Sequence, residues 1–163
     1  MSKLQILDVN FDNIDHADAL LKLLNDYACD PMGGSEPITE FCRTHLISAL
    51  KHRPNVCAVI AWYDGEPAGF SICMEGFSTF ACQPLLNIHD FAVSPPFRGK
   101  GIASALMQYI ENIAKKRGCC KLTLEVLEGN QVARHVYHQQ GFAQYALGQT
   151  TGGALMMQKK LSD

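Results

Sequence analysis

The chain has 163 residues, of which 47% are hydrophobic and 18% charged, and its formal net charge is −2. This composition predicts a single folded domain spanning residues 1–163 and excludes a disordered tail. Because the chain has no basic excess, we expect no nucleic-acid partner. No apolar run approaches the roughly 18–20 residues that cross a bilayer, and no signal peptide is evident, so we expect a cytoplasmic protein without a membrane partner.

The cysteines indicate a reducing compartment. There are seven of them, an odd number, and none forms a Cys-x-x-Cys pair. We therefore expect reduced thiols rather than disulfides. No paired Cys or His spacing fits tetrahedral zinc, so we expect no bound metal.

The first half of the chain predicts a strand, two helices and a hairpin. A helical period follows the first strand and places Ile14, Leu20 and Leu24 on one face. The second helix has Phe41 and Leu50 as predicted core residues. In chain order these elements are a strand at 3–9, a helix at 13–30, a helix at 38–52, and strands at 56–63 and 68–77 joined by a turn.

The second half predicts four more strands and two more helices. They are a strand at 85–93, a long helix after Gly101, a strand at 121–126, a helix at 131–140, and strands at 141–147 and 154–161. The whole pattern is α+β with a mixed sheet, in which the middle strand–helix–strand unit forms a parallel crossover.

The start of the long helix combines backbone freedom with positive charge. Gly99 and Gly101 allow the backbone to curl, and Arg98 and Lys100 carry full charges. The unpaired amides and dipole of a helix start favour phosphate oxygens. The stretch matches neither the P-loop nor the dinucleotide fingerprint. From this stretch alone, a glycine-rich turn that simply enters a helix is the alternative.

Three motifs between about 86 and 142 resemble the GNAT superfamily of acyl-CoA N-acyltransferases. The signature Arg/Gln-x-x-Gly-x-Gly/Ala stands here as Arg98-Gly99-Lys100-Gly101-Ile102-Ala103. It follows a strand that ends in Phe91-Ala92-Val93, and the third motif comprises Asn130, Ala133, Tyr137, Gly141 and Phe142. The segment 77–93 resembles the diamine-acetylating branch. The resemblance implies a mixed, mostly antiparallel sheet of six to seven strands, flanked by about four helices and splayed between strands four and five.

The resemblance also implies acetyl-CoA as co-substrate and assigns its contacts. Backbone amides of the signature segment would hold the CoA diphosphate, namely those of Arg98, Gly99, Lys100, Gly101, Ile102, Ala103 and Ser104. The backbone of Phe91, Ala92 and Val93 would pair with the pantetheine arm as an added strand. Asn130 is predicted to cap its helix, and the family also places it near the pantetheine arm.

The resemblance makes Tyr137 the candidate general acid, because it would face the CoA sulfur. The alternative is a half-buried aromatic whose hydroxyl bonds elsewhere. For the base, the strand offers His89 and Asp90, which strand alternation would place on opposite faces. The diamine branch would have a glutamate where His89 stands, and the histone-acetylating branch would have one at Asn87. A structural role for either residue and a water chain without a single base are open alternatives.

We expect a direct transfer of acetyl from acetyl-CoA to a small-molecule primary amine. Asp26, Asp30 and Glu36 lie in or beside a glycine-containing loop and would attract a cationic amine, although a solvated loop is the alternative. A protein lysine or N-terminal acetyltransferase and a non-catalytic CoA sensor are the competing functions. The apolar run at 154–157 suggests the seam of a homodimer. The acceptor and the acyl length are not predicted.

Overall fold

The computed structural model describes residues 3–161. Their contacts divide them into two compact units, one ending at Leu124 and the other starting at Glu125. The prediction that residues 1–163 form a single domain stays a prediction. Within the described range, no helix is long and apolar enough to cross a membrane.

The first unit contains a five-stranded sheet with three helices. Its strands follow chain order, β1-β2-β3-β4-β5. Neighbours among the first four are antiparallel, whereas β5 runs parallel to β4 after the α3 crossover. The elements are β1 Leu4–Asp8, α1 Ile14–Cys29, α2 Glu40–Lys51, β2 Val56–Tyr63, β3 Glu66–Ser78, β4 Gln83–Val93, α3 Ile102–Lys116 and β5 Leu122–Leu124, with a 3₁₀ turn at Pro95–Phe97.

Helices α1 and α2 begin at side-chain caps. The Asn13 side chain accepts hydrogen bonds from two backbone amides in the first turn of α1, and the Thr39 hydroxyl accepts one, from the Cys42 amide of α2. Leu20 and Leu23 of α1 are buried in one core cluster with Phe70 of β3. This cluster fixes the position of α1 on the sheet, close to the last residues of β4.

Phe41, predicted as a core residue, and Ile14, placed on the apolar face of the first helix, are both exposed. Ile14 is 73% exposed and Phe41 is 72% exposed. Each lies in the first turn of its helix, before the helix reaches the sheet. Phe41 instead stacks on His45 of the next turn, with ring centroids 4.2 Å apart.

Strand β4 is paired along its whole length on one side only. Its ladder with β3 runs from Gln83 to Val93, whereas its ladder with β5 covers only three residue pairs and ends at Ile88–Leu124. Strand β5 ends there, so among the described residues no strand pairs with β4 on that side beyond Ile88, where the splay was predicted. A β-bulge lies at the same place: Ile72 pairs with Asp90 and Cys73 with Ile88, so His89 is the extra residue. The bulge breaks the simple alternation assumed from the sequence.

The second unit contains α4, Gln131–Gln139. The strands predicted at 141–147 and 154–161 do not form; among the described residues of this unit, strand-like pairing is limited to an isolated bridge between Ala146 and Gly153. The sheet therefore has five strands rather than six to seven. A strand needs a hydrogen-bonding partner, and an isolated two-stranded hairpin is only marginally stable in water. Leu155, Met156 and Met157 are accordingly exposed.

Candidate active site

The segment between β4 and α3 adopts a conformation that favours glycine at two positions. After Val93 the chain passes through the Pro95–Phe97 turn, and Gly99 and Gly101 then have φ values of 76° and 77°. A Cβ added at either position would meet nothing within 4 Å. The requirement for glycine here is therefore conformational, because an L side chain is disfavoured at positive φ.

The start of α3 presents backbone amides at the end of this segment. The first backbone hydrogen bond of the helix runs from the Ala105 amide to the Gly101 carbonyl, at 3.1 Å. Amides before Ala105 precede this ladder, and Gly101 has no side chain with which to cap them. Ile102 is buried and anchors the first turn in the core. Within the predicted nest, the Arg98 amide is engaged, since it donates to the Pro95 carbonyl at 3.2 Å. The start of α3 carries the partial positive charge of a helix N-terminus, which favours anions.

Both cations of this segment are engaged by other parts of the protein. The Arg98 Nε donates to the Val93 carbonyl at 3.0 Å, and its Nη2 lies 3.4 Å from the Asp30 Oδ2 at the end of α1. The Lys100 ammonium lies over the aromatic ring of Tyr63. In this structure the two side chains hold the segment against its neighbours, a role that the sequence did not predict.

A cleft of about 240 Å³ opens beside the end of β4. Its apolar floor includes Phe70, and the Tyr27 ring packs edge-on against it with centroids 6.3 Å apart. The cleft is lined by Leu23, Asp26, Tyr27, Cys29, Asp30, Phe70, Ala92, Val93, Ser94, Pro95 and Arg98. The predicted acidic residues Asp26 and Asp30 thus line one cleft with the predicted pantetheine strand and with Arg98. Glu36 is not among the lining residues.

Carboxylates act on the Tyr27 hydroxyl of this cleft, although the two that line it are ion-paired, Asp26 with Lys22 and Asp30 with Arg98. Burial raises the pKa of the Tyr27 hydroxyl, and the Asp90 and Asp30 carboxylates raise it further. Burial also raises the pKa of the Asp90 carboxyl, an effect that His89 partly opposes. A carboxyl with a raised pKa is a better proton acceptor than an exposed aspartate. The backbone here is held firmly, since the buried Ser71 hydroxyl donates to the Asp90 carbonyl at 2.8 Å.

The two base candidates differ in their surroundings. Asp90 is half-buried and faces Ile72 in the β3–β4 ladder. His89 is exposed at the bulge. The sequence could identify both residues but not this difference, because a bulge arises from the pairing of two strands that are distant in the chain.

The other two predicted site residues lie on α4 in the second unit. The Asn130 side chain accepts from the Ala133 amide at 3.1 Å, which confirms its role as the N-cap. Tyr137 is half-buried, its ring lies 5.9 Å from that of Phe142, and its carbonyl accepts from the Phe142 amide. The motif residues Tyr137 and Phe142 are thus packed together at the end of α4.

Tyr27 is a site residue that sequence analysis missed. Only its place in the last turns of α1, just before the glycine-containing loop, could have identified it.

Among the described residues, no group of three or more His, Cys, Asp or Glu side chains is arranged to hold a metal ion.

Comparison with known proteins identifies a family and several relatives. The model of the acetyltransferase (GNAT) family matches residues 19–142. Streptothricin acetyltransferase of Streptomyces lavendulae is 41% identical over 80 residues, which are 49% of this chain and 40% of that protein. Thialysine N-ε-acetyltransferase of Caenorhabditis elegans is 29% identical over 125 residues, 76% of this chain and 74% of that protein. The match to the first of these relatives thus spans less than half of its length.

A solved structure shows the same fold across nearly the whole chain. An aminoglycoside N-acetyltransferase in complex with CoA superposes with a TM-score of 0.72 at 17% identity, covering 98% of this chain and 97% of that one. The family model covers about three quarters of the sequence and includes the nest, β4 and α4. The chain belongs to the acetyltransferase (GNAT) family.

Proposed function

We propose that this protein transfers an acetyl group from acetyl-CoA to a primary amine of a small cationic molecule. The observation that carries the proposal is the shared position of two features at the end of β4. A glycine-shaped nest of helix-start amides lies on one side, and the cleft containing Tyr27, Asp30 and Val93 adjoins it. One feature suits a diphosphate and the other suits an ammonium group.

The residues present fit CoA. The left-handed glycines leave open space around the backbone, which supports the approach of a diphosphate to the segment from Arg98 to Ser104. The Arg98 amide would have to leave the Pro95 carbonyl to take part. Beyond Ile88 the β4 backbone leaves the β5 ladder, which supports pairing of Phe91, Ala92 and Val93 with an extended pantetheine arm. Acetyl-CoA, when bound, supplies an activated thioester.

The acceptor class follows from the cleft. Its volume of about 240 Å³ is below the usual range for drug-sized ligands, so it suits one amine-bearing arm rather than a bulky body. Asp30 and Asp90 both raise the pKa of Tyr27, so two carboxylates act on one hydroxyl in the cleft. The names of the relatives are consistent with this class: they acetylate streptothricin and thialysine, and the solved neighbour acetylates aminoglycosides.

The base is assigned from its surroundings, and the acid, Tyr137, from the resemblance of its motif to the family. A free alkyl amine titrates near ~10 and must lose a proton before it attacks. We assign that proton to Asp90, directly or through water, because its carboxyl has a raised pKa. His89 is the second candidate. The amine nitrogen then bonds to the acetyl carbon, the carbon–sulfur bond breaks, and the Tyr137 hydroxyl protonates the departing thiolate. The nitrogen releases its second proton to water, and water returns a proton to Tyr137.

The experiment is a panel of amines incubated with acetyl-CoA and the purified chain. The panel contains diamines, polyamines, thialysine, lysine and an aminoglycoside, with an uncharged alcohol as control. Release of free thiol and the mass of the acetylated amine are both recorded. We expect thiol release only with the cationic amines, matched by product. A parallel incubation contains labelled acetyl-CoA, the purified chain and a cell lysate. Label on lysate proteins, with no acetylation of any small amine in the panel, would instead favour a protein acetyltransferase.

Two further expectations belong to this proposal. The exposed run Leu155–Met157 supports a homodimer, which light scattering on the purified chain would detect. The cytoplasmic location stays a prediction, which fractionation of cells expressing the chain would test.

A further inference from the structure

The exposed Lys100 side chain lies against two aromatic rings. Its ammonium lies 4.6 Å from the ring centroid of Tyr63 and 5.6 Å from that of Phe97. The two rings are 5.9 Å apart and inclined at 56°. A cation within about 6 Å of an aromatic face is attracted by the ring quadrupole. We call Tyr63, Phe97 and Lys100 the aromatic clamp.

The clamp connects the nest to the rigid part of the sheet. Tyr63 ends β2 and pairs with Leu4 of β1 and Glu66 of β3. It is therefore held on both sides by strand pairing. Phe97 ends the 3₁₀ turn that precedes the nest. Lys100 thus ties the segment to a part of the fold that is distant in sequence.

The position of Lys100 explains why such a tie matters. It stands between Gly99 and Gly101, the two residues with the greatest backbone freedom in the segment. At the other end, Arg98 is tied to Val93 and Asp30. Without a contact between the two glycines, the amides of the nest would sample several orientations. CoA binding would then have to order these amides, and the entropy lost in doing so would reduce the affinity for CoA.

We propose that Tyr63, with Phe97, is a positioning residue for CoA binding: it holds Lys100 and thereby fixes the nest before CoA arrives. The proposal rests on the proposed function, because it concerns the same CoA site. It differs from the role that the sequence assigned to Lys100, in which the ammonium adds charge for the diphosphate. In the clamp, Lys100 acts through its ring contacts and the backbone amides bind the ligand.

A double-mutant cycle separates the two roles. CoA is titrated calorimetrically into wild type, Tyr63→Leu, Lys100→Met and the double variant. For a clamp, each single change raises the dissociation constant about three- to fivefold, and the double variant is no weaker than the weaker single variant. Lys115→Met is the matched control, since it makes the same change in the last turn of α3, at the far end from the nest.

Steady-state kinetics provide the second readout. We expect the KM for acetyl-CoA to rise by the same factor in Tyr63→Leu, while kcat and the KM for the amine stay at wild-type values. Tyr63→Phe keeps a ring under the ammonium and should restore most of the affinity. A purely structural role would instead lower kcat and the melting temperature together. If Tyr63→Leu does not fold, Phe97→Leu is used in the same cycle.

The outcomes that overturn the clamp are distinct from failure of the proposed function. If wild type binds CoA and Tyr63→Leu binds it equally well, or if the Tyr63 and Lys100 effects add, the clamp is wrong and Lys100 contacts the ligand directly. If wild type binds no CoA, the proposed function fails and the clamp fails with it. If Tyr63→Leu weakens CoA binding only when Lys100 is present, the clamp is established.

Discussion

Asp90 carries the clearest link between local environment and chemistry. Its carboxyl is half-buried at the end of β4, and burial raises its pKa. We expect Asp90→Asn to lower kcat by about 10²- to 10⁴-fold, the usual contribution of a general base. The dissociation constant for CoA should not change. In wild type, kcat should rise with pH as Asp90 ionises. A matched His89→Gln variant identifies the base. The residue whose substitution removes this pH-dependent rise in kcat is the one that accepts the proton.

The same burial predicts a gain in stability on substitution. Because the folded-state pKa of Asp90 is raised, its favourable contribution is fully present below the unfolded-state pKa and is lost as pH rises through the folded value. At neutral pH, Asp90→Asn should therefore be more stable than wild type, and the difference should shrink at acid pH. Urea unfolding across a pH series measures this. A variant that is less stable at every pH would show that the carboxylate makes a favourable contact instead.

Tyr137 tests the other proton transfer. Tyr137→Phe removes one hydroxyl and keeps the ring that packs near Phe142. Loss of the general acid should lower kcat by about 10²-fold or more, with CoA affinity unchanged. An amine-dependent turnover equal to that of wild type would contradict the assignment and favour protonation by water.

At the scale of the element, the nest depends on left-handed glycine. Gly101→Ala places a Cβ at a φ of 77°, which costs about 1–2 kcal/mol for an L residue. We expect lower stability and weaker CoA binding, because the start of α3 must shift to relieve the strain. Gly148→Ala is the control, since the nearest atom to its Cβ is the Thr151 Oγ1 at 4.0 Å. Equal effects of the two substitutions on CoA binding would contradict the role of the nest.

The end of β4 is positioned by close packing against β3. A Cβ at Gly69 would lie 3.0 Å from the Ala92 carbonyl oxygen and 3.3 Å from the Val93 Cγ2. Gly69→Ala must therefore displace the backbone that lines the cleft, and we expect the KM for acetyl-CoA to rise. Gly76→Ala on the same strand is the matched control. Its Cβ would meet only side-chain atoms of Leu85, which can move.

The sequence predicted the elements that carry strong patterns and missed those that depend on partners. Helices α1 to α4 and strands β1 to β5 were identified from periodicity, caps and breakers, and Asn130 was correctly placed as a cap. The two C-terminal strands were wrong, because an apolar run becomes a strand only when another strand pairs with it. The bulge at His89 was missed for the same reason.

In the candidate site, too, some features could be predicted from the local sequence and others could not. The nest was predictable because glycines and a helix start lie within one short segment. The contacts of Tyr27 with the cleft and of Lys100 with Tyr63 were not, since they join elements that are distant in the chain. Local chemistry could be inferred from the residues, whereas the neighbours of each side chain required the fold.

At the scale of the whole molecule, the family match spans both compact units, from residue 19 to residue 142. The net charge is only −2, so attraction of CoA must come from local features rather than from the overall field. The proposed acetyl transfer therefore depends on binding of CoA to the folded chain.

Thermal unfolding of the purified chain with and without CoA tests this claim most directly. A ligand at a hundredfold excess over its dissociation constant stabilises the folded state by about 2.7 kcal/mol. For a chain of this length, each kcal/mol raises Tm by roughly 2–4 °C, so we expect Tm to rise by about 5–10 °C. An unchanged Tm at millimolar CoA would contradict the proposed binding of CoA.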